Sequence, residues 1–456
     1  MDEFDVVVVG GGPAGEVAAG RCAEAGLEVA LVEAELVGGE CSYWGCMPSK
    51  TLLRPGDAVA AARRVPGAAA AVSGEIDVAA ALARRDYMTG GWDDAGQVPW
   101  LTERGITLVR GRGSVAGERT VTVDSGAVLR ARRAVVLATG SRPAMPPIPG
   151  LAEARPWDNR DATAAKSVPR RLLVLGGGAI GVELAQAFRR LGAEQVTVLE
   201  GGPRLLPREE PFAGAELQAA LEAEGIEVLV GAAVERVRRA GVDGPVTVEV
   251  GGRSIEGDEL LVATGRRVEL AGLGLDRVGI AAERAVPVDD QLRVGGLDWL
   301  YAVGDCTGVA PLTHMGKYQA RIAADVILGR PARDRSSIDA VPRVVFTDPQ
   351  VCAVGLTEAQ ARERGLAVRT VSYGTGNVAG AVALGEGIAG TSQLVIDTDR
   401  QVVVGATFTG PGIQELLHAA TIAIAGQVSV DTLWHAVPSF PTISEVGLRL
   451  LEQYGL

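Results

Sequence analysis

Three short stretches are apolar at nearly every position and run straight into glycine: DVVVVG (5–10), RLLVLG (171–176) and LYAVG (300–304). An unbroken apolar run of this length predicts a strand covered on both faces, the habit of parallel sheets. After the first two runs the chain mixes small apolar and polar residues, and predicts a helix. It then returns to an apolar run ending in an acid, at Glu33 and at Glu200. Two buried strands end in Ala-Thr-Gly, one at Gly140 and one at Gly265. From Pro342 the texture becomes short β-rich runs and then helix. The fold class is therefore α/β, with two Rossmann-like dinucleotide-binding domains and a C-terminal α+β domain. The stretch PAMPPIPG (143–150) reads as a stiff linker. It marks the first domain boundary, and the change at Pro342 implies a separate C-terminal domain.

Each half of the repeat has the parts a dinucleotide needs. In the first, Gly10 makes the turn, Gly12 admits a pyrophosphate and Gly15 lets helix pack on strand. Gly176, Gly178 and Gly181 repeat the set. The helix that follows offers free N–H groups to phosphate, and Glu33 or Glu200 stands where a ribose hydroxyl needs an acceptor. Glu200, followed by Gly201 and Gly202, would repel a 2′-phosphate and favours NADH over NADPH; Arg204 nearby pulls the other way.

Composition narrows the partners. A net charge of −12 argues against nucleic acid and anionic membranes. No apolar run reaches the ~18 residues of a membrane span. The acidic start MDEFD is unlike a secretion signal, so a cytoplasmic protein is expected. There, a disulfide is more often catalytic than structural. Of five cysteines only Cys41 and Cys46, in GGECSYWGCMPSK (38–50), are close in sequence. No further cysteine or histidine lies near them to complete a zinc site, and no metal is expected. An odd cysteine count fits no disulfide framework.

The first glycine loop, GGxCxxxGCxPSK, both ATG segments, GGGAIGVE, YAVGDC, VVFTDPQVCAVGLTE and PTISE occur here in one order. In that order they resemble the pyridine nucleotide–disulfide oxidoreductases, whose members include dihydrolipoamide dehydrogenase, glutathione reductase and mercuric reductase. The resemblance implies an FAD domain (1–150), an inserted NAD domain (151–272), a central segment completing the FAD site (273–340) and a dimerisation domain (341–456). It implies a homodimer with an active site shared across the interface. Hydride would pass from NADH to FAD, to a Cys41–Cys46 disulfide and on to an acceptor. Cys46 matches the flavin-facing thiolate and Cys41 the thiol that meets substrate. Lys50 matches a lysine at the flavin edge, Glu183 its acidic partner, and Asp305 an acceptor for the ribityl chain. His314 opens a helix whose N-terminus would face the flavin. Residues five apart in a helix rise ~7.5 Å, whereas bridged Cα atoms lie within ~6.8 Å. A regular helix must therefore break between the two cysteines, and Gly45 and Pro48 make that plausible.

One position departs from the family pattern. Disulfide-reducing members end in His-Pro-Thr-x-x-Glu, whose histidine moves the substrate proton. Here Pro441, Thr442 and Glu445 are kept and Phe440 replaces the histidine. His435, five residues earlier, reads as a packed interface residue. The chain also ends without the cysteine pair used to deliver mercury. The expected acceptor is a small-molecule or protein disulfide. The alternative is a quinone or metal ion reduced directly from flavin, with Tyr43, Trp44 and Phe440 forming an aromatic pocket.

Overall fold

A computed structural model describes residues 1–335 and 338–456. Contacts divide the chain into two compact units. The first comprises Met1–Pro48, Arg85–Ala144 and Arg266–Arg335; the second comprises Ser49–Arg84, Met145–Gly265 and the C-terminal portion to Leu456.

The first unit opens with β1 (Asp2–Val9), α1 (Pro13–Glu24), β2 (Val29–Glu33) and α2 (Gly39–Tyr43). Helix α3 (Cys46–Arg63) starts here and runs into the second unit, and α4 (Val78–Met88) leads back. Then come α5 (Val98–Glu103), β3 (Thr107–Arg110), the hairpin β4 (Gly113–Gly117) and β5 (Thr120–Val123), β6 (Val128–Leu137) and β7 (Arg142–Pro143). The sheet order is β3-β2-β1-β6-β5-β4. Its parallel centre sets Val6–Val9 against Val29–Val32 on one side and Ala134–Leu137 on the other. A late strand, numbered β16 (Leu300–Ala302), adds to β6, so residues from both ends of the chain share one sheet. Alternation explains why β1 is apolar throughout. Val6 and Val8 bury against Ala18 and Ala19 of α1 and against Ala320 and Ala323 of α9 (Thr313–Ile327). Val7 and Val9 bury against Val115, Val135 and Leu300.

In the second unit, α6 (Asn159–Ala164) precedes β8 (Arg171–Leu175), α7 (Ala179–Arg190), β9 (Gln195–Glu200), α8 (Pro211–Ala223), β10 (Ile226–Val230) and β14 (Glu259–Val262). The strands form a parallel sheet, β10-β9-β8-β14. An antiparallel meander, β11 (Val234–Arg239), β12 (Val246–Val250) and β13 (Arg253–Gly257), covers one face around Val237, Val246 and Leu173. The chain leaves through β14 into β15 (Arg266–Arg267), which pairs antiparallel with β7 back in the first unit.

The C-terminal part is a five-stranded antiparallel sheet. Its strands are β17 (Arg343–Val345), β18 (Gln350–Gly355), β19 (Val368–Gly374), β20 (Thr391–Asp397) and β21 (Val402–Gly410), in the order β17-β18-β21-β20-β19. Its helices are α10 (Glu358–Glu363), α11 (Ala379–Leu384), α12 (Leu417–Ala425), α13 (Val430–Trp434) and α14 (Glu445–Tyr454). Leu417, Ile424, Val446 and Leu450 pack on Val354, Ile396 and Phe408 of the sheet. Among the described residues no helix is long and apolar enough to cross a membrane.

Candidate active site

The two glycine loops are built alike. Gly10 has φ +106° and Gly176 φ +113°, a left-handed backbone that a side chain would strain. A Cβ on Gly15 would lie 1.8 Å from the Gly10 carbonyl oxygen, and one on Gly181 would lie 2.0 Å from that of Gly176. No side chain caps α1 at Gly12 or α7 at Gly178, which leaves the first-turn N–H groups open to phosphate. The Glu33 carboxylate accepts from the Gly11 and Glu35 N–H groups, both at 2.6 Å. The Glu200 carboxylate accepts from Gly177 at 2.6 Å and Gly202 at 2.5 Å. Each acid is thus aimed by its own loop and keeps lone pairs for a ribose hydroxyl. Burial raises the Glu33 carboxyl above its usual range. These residues fit two dinucleotides.

The cysteines lie on two helices rather than one. Cys41 is inside α2 and Cys46 begins α3, with the break at Trp44 (φ −135°) and Gly45. A side chain at Gly45 would crowd the Glu40 carbonyl at 3.1 Å. Cys46 Sγ lies 3.3 Å from Thr313 Oγ1, at the start of α9. Cys41 is held well above the usual thiol range, first by its hydrogen bond to Cys46 and then by burial. The other cysteines are buried and inert: burial pushes Cys22 up to about 12 and Cys306 up to about 11.

Beside the pair, Glu40 forms an ion pair with Arg266 at 3.4 Å. Arg266 also donates to the Ser141 hydroxyl and carbonyl, both at 2.7 Å, and that hydroxyl donates to Asp305 at 2.6 Å. Gly140 and Gly265, at positive φ, let the chain turn just before Ser141 and Arg266. The Gly304 N–H donates to Gln319 Oε1 at 2.8 Å, while Gln319 Nε2 is buried with no acceptor among the described residues, a donor left over beside the Gly304–Asp305 turn. Neither Thr313 nor Arg266 stands out in the sequence; each lies more than 200 residues from the cysteines it serves. His314 is exposed at the start of α9.

Lys50 meets Glu183 within the second unit. Its ammonium donates to Glu183 Oε2 at 2.7 Å and stands 4.7 Å above the Phe346 ring. Glu183 is buried, and its other oxygen accepts the Phe346 N–H at 2.9 Å. Seven residues further along both helices, Asp57 pairs with Arg190 at 2.9 Å. Two ion pairs at the same seven-residue step zip α3 parallel to α7, with Leu53, Ala187 and Leu191 packed between them. Arg190 also holds Glu224 and Asp348, so burial of the guanidinium is met by three carboxylates.

Of the aromatic residues near the cysteines, Tyr43 turns inward. Tyr43 is a core residue, 3% exposed, and its hydroxyl donates to the Val37 carbonyl at 3.0 Å. Asp94 accepts the Val37 N–H at 2.7 Å and pairs with Arg110, while Trp92 Nε1 donates to the Tyr43 carbonyl. Phe440 is 75% exposed and His435 is exposed at the end of α13. Glu445, buried at the start of α14, accepts from Arg449 at 2.6 Å through Oε1. Its Oε2 is buried with no hydrogen-bond partner among the described residues.

Residues 4–322 match the family model for pyridine nucleotide-disulphide oxidoreductases, and residues 341–450 match the dimerisation domain of the same family. The chain is 32% identical to a dihydrolipoyl dehydrogenase of Chlamydia muridarum over 98% of its length and 95% of that protein's. It is 31% identical to a mercuric reductase of Staphylococcus aureus over 98% of its own length and 82% of the other. Among solved structures it resembles a Cu(II) complex of the HOCl-induced flavoprotein disulfide reductase RclA from Escherichia coli, with TM-score 0.87, 26% identity and 99% of both chains covered. It also resembles LpdA from Mycobacterium tuberculosis, with TM-score 0.85, 26% identity and full coverage of both chains.

Proposed function

The chain belongs to the pyridine nucleotide–disulphide oxidoreductases, and from that premise we propose that Cys41 and Cys46 form its electron-delivering pair and that its acceptor is a small-molecule or protein disulfide. As a member it is an FAD-dependent enzyme that draws on NAD(P)H. When bound, FAD relays two electrons from the nicotinamide to the thiol pair.

This chain's residues supply the rest of the scheme. Gly10, Gly12, Gly15 and Glu33 hold FAD, with Gly140, Asp305 and the start of α9 at His314 completing its site. Gly176, Gly178, Gly181, Glu200 and Gly265 hold the nicotinamide cofactor. The carboxylate of Glu200, fixed by two backbone N–H groups, favours NADH. The buried Glu183 orients the Lys50 ammonium for the flavin edge. Cys46, at the head of α3 and next to Thr313, takes the thiolate role; Cys41 is the thiol that meets the acceptor. In this scheme the chain divides into an FAD domain (1–150), an NAD domain (151–272), a central segment (273–340) and a dimerisation domain (341–456), and works as a homodimer with Glu445 at a shared site.

The observation that carries this reading is the pair itself: two thiols hydrogen-bonded across a helix break. Replacing Cys41 by Ser tests it. Disulfide turnover should fall at least ~10³-fold while NADH still bleaches the flavin; undiminished turnover would sink the assignment. A second reading draws on Phe440, which brings no ionisable group to the histidine's place. On that reading electrons leave flavin directly for a quinone or metal ion, and quinone turnover survives in the Cys41→Ser variant.

A further inference from the structure

Three parts of the second unit meet at one ammonium. Lys50 on α3 and Glu183 on α7 make an ion pair, and Phe346, in the turn after β17, touches both partners. The Phe346 N–H holds Glu183 Oε1 at 2.9 Å, which leaves Oε2 to take Lys50 at 2.7 Å. The Phe346 ring turns its face to the same ammonium, 4.7 Å away. The two partners are not held equally well. The Glu183 side chain is 4% exposed and that of Lys50 is 35% exposed. A carboxylate in the core stays where it is. A half-exposed lysine swings on a four-carbon stem, and one ion pair restrains it weakly. The ring is the second contact that restrains it.

The turn that carries the ring is itself fastened at both ends. Val345, before it, pairs with Val351 across β17 and β18. Asp348, after it, is buried, and its Oδ2 accepts from Arg64 at 2.6 Å and from Arg190 at 2.9 Å. Gln186 of α7 accepts the Asp348 N–H at 2.8 Å and donates to its carbonyl at 2.9 Å. The ring packs into the seam where Leu53 of α3 meets Ala187 of α7.

We propose that Phe346 is the positioning residue for Lys50, so that the dimerisation domain, matched from residue 341, sets where the lysine's charge stands. The inference rests on the reading above, in which Lys50 serves the flavin edge. Phe346 acts through Lys50 and is not itself a catalytic residue. A ring face attracts a cation without taking its proton or cancelling its charge. It therefore fixes the place of the ammonium and leaves the full charge available to a reduced, anionic flavin. An ammonium that strays from its place stabilises that flavin less.

Phe346→Leu tests the ring alone, because it removes the π face and keeps the N–H that holds Glu183. Brief acetylation of the flavin-bound enzyme by acetic anhydride, read by peptide mass, measures how well Lys50 is held. Phe346→Leu should speed acetylation of Lys50 roughly three- to tenfold, and Phe346→Tyr should stay within about twofold of the wild type. An unchanged rate in Phe346→Leu, or an equal rise in Phe346→Tyr, overturns the proposal. The flavin midpoint potential, set against a reference dye, reads the consequence. Phe346→Leu should lower it by about 15–30 mV, the same three- to tenfold change in a two-electron equilibrium. In a Lys50→Met background it should lower it no further. A shift of equal size in both backgrounds shows the ring acting without the lysine and overturns the proposal. Lys50→Met alone tests the reading beneath it. If that variant keeps the wild-type potential while Lys50 acetylation still responds to Phe346→Leu, the flavin-edge role falls and the positioning of Lys50 stands.

Discussion

The two glycine-loop units are the same device folded twice, and their helices diverge directly after the third glycine. The turns, the glycine contacts and the double backbone grip on Glu33 and Glu200 match almost bond for bond. Past Gly15 the first helix continues Glu16-Val17; past Gly181 the second continues Val182-Glu183. Val182 is fully buried in the core of its unit, and Glu183 next to it turns to Lys50. In the first unit the acid comes one residue earlier and is half-buried. A one-residue shift rotates a helical side chain by about 100°. Two otherwise like loops thus send their acids from different faces of the helix.

Swapping the residues should break the likeness. Val182→Glu places an unpaired carboxylate in a packed core and should cost about 3–5 kcal/mol, seen as an early melting step that the first unit does not share. Gly15→Ala and Gly181→Ala drive a Cβ into backbone in both loops, but their effects should separate. The first should purify with little flavin. The second should keep its flavin yet be reduced by NADH at least ~10²-fold more slowly, a contrast that flavin absorbance and stopped-flow bleaching resolve.

Glu200→Ala asks less of the fold. It should raise the KM for NADH about tenfold and leave that for NADPH within about twofold, because only the ribose contact is lost. Smallest is Glu16→Val, which gives the first loop the residue of the second. The Glu16 carboxyl rises from 4.5 to about 7 in the folded chain, so folding resists its ionisation. Wild-type stability should therefore decline as pH climbs through that window. The variant should lack that part of the slope, measured as melting temperature against pH.

What was legible in the sequence is what local chemistry dictates. Glycines at a fixed step, apolar runs ending in an acid and two cysteines around a glycine carry their geometry within thirty residues. Thr313, Arg266 and the Asp94–Arg110 pair reach the α2 region only because β16, β15 and β3 return to sheets begun much earlier. Their residue types are ordinary; only the sheet topology makes them neighbours. Tyr43 beside a reactive cysteine can line a pocket or pack inward; the Val37 carbonyl takes its hydroxyl and seats the ring in the core.

The two-residue ladder of β7 and β15 carries a consequence for how such a protein could be assembled or taken apart. Arg142 faces Arg267 and Pro143 faces Arg266, so the point where the chain departs the first unit and the point where it comes back are already neighbours. To the sheet it left, everything from Met145 to Gly265 is a long hairpin connection whose ends are closed by that ladder and by the Arg266 fork on Ser141. Closing entropy grows only as the logarithm of loop length, so the segment resembles a cartridge in a fixed socket. The register of that ladder fixes where the segment leaves and where it returns, whatever its length.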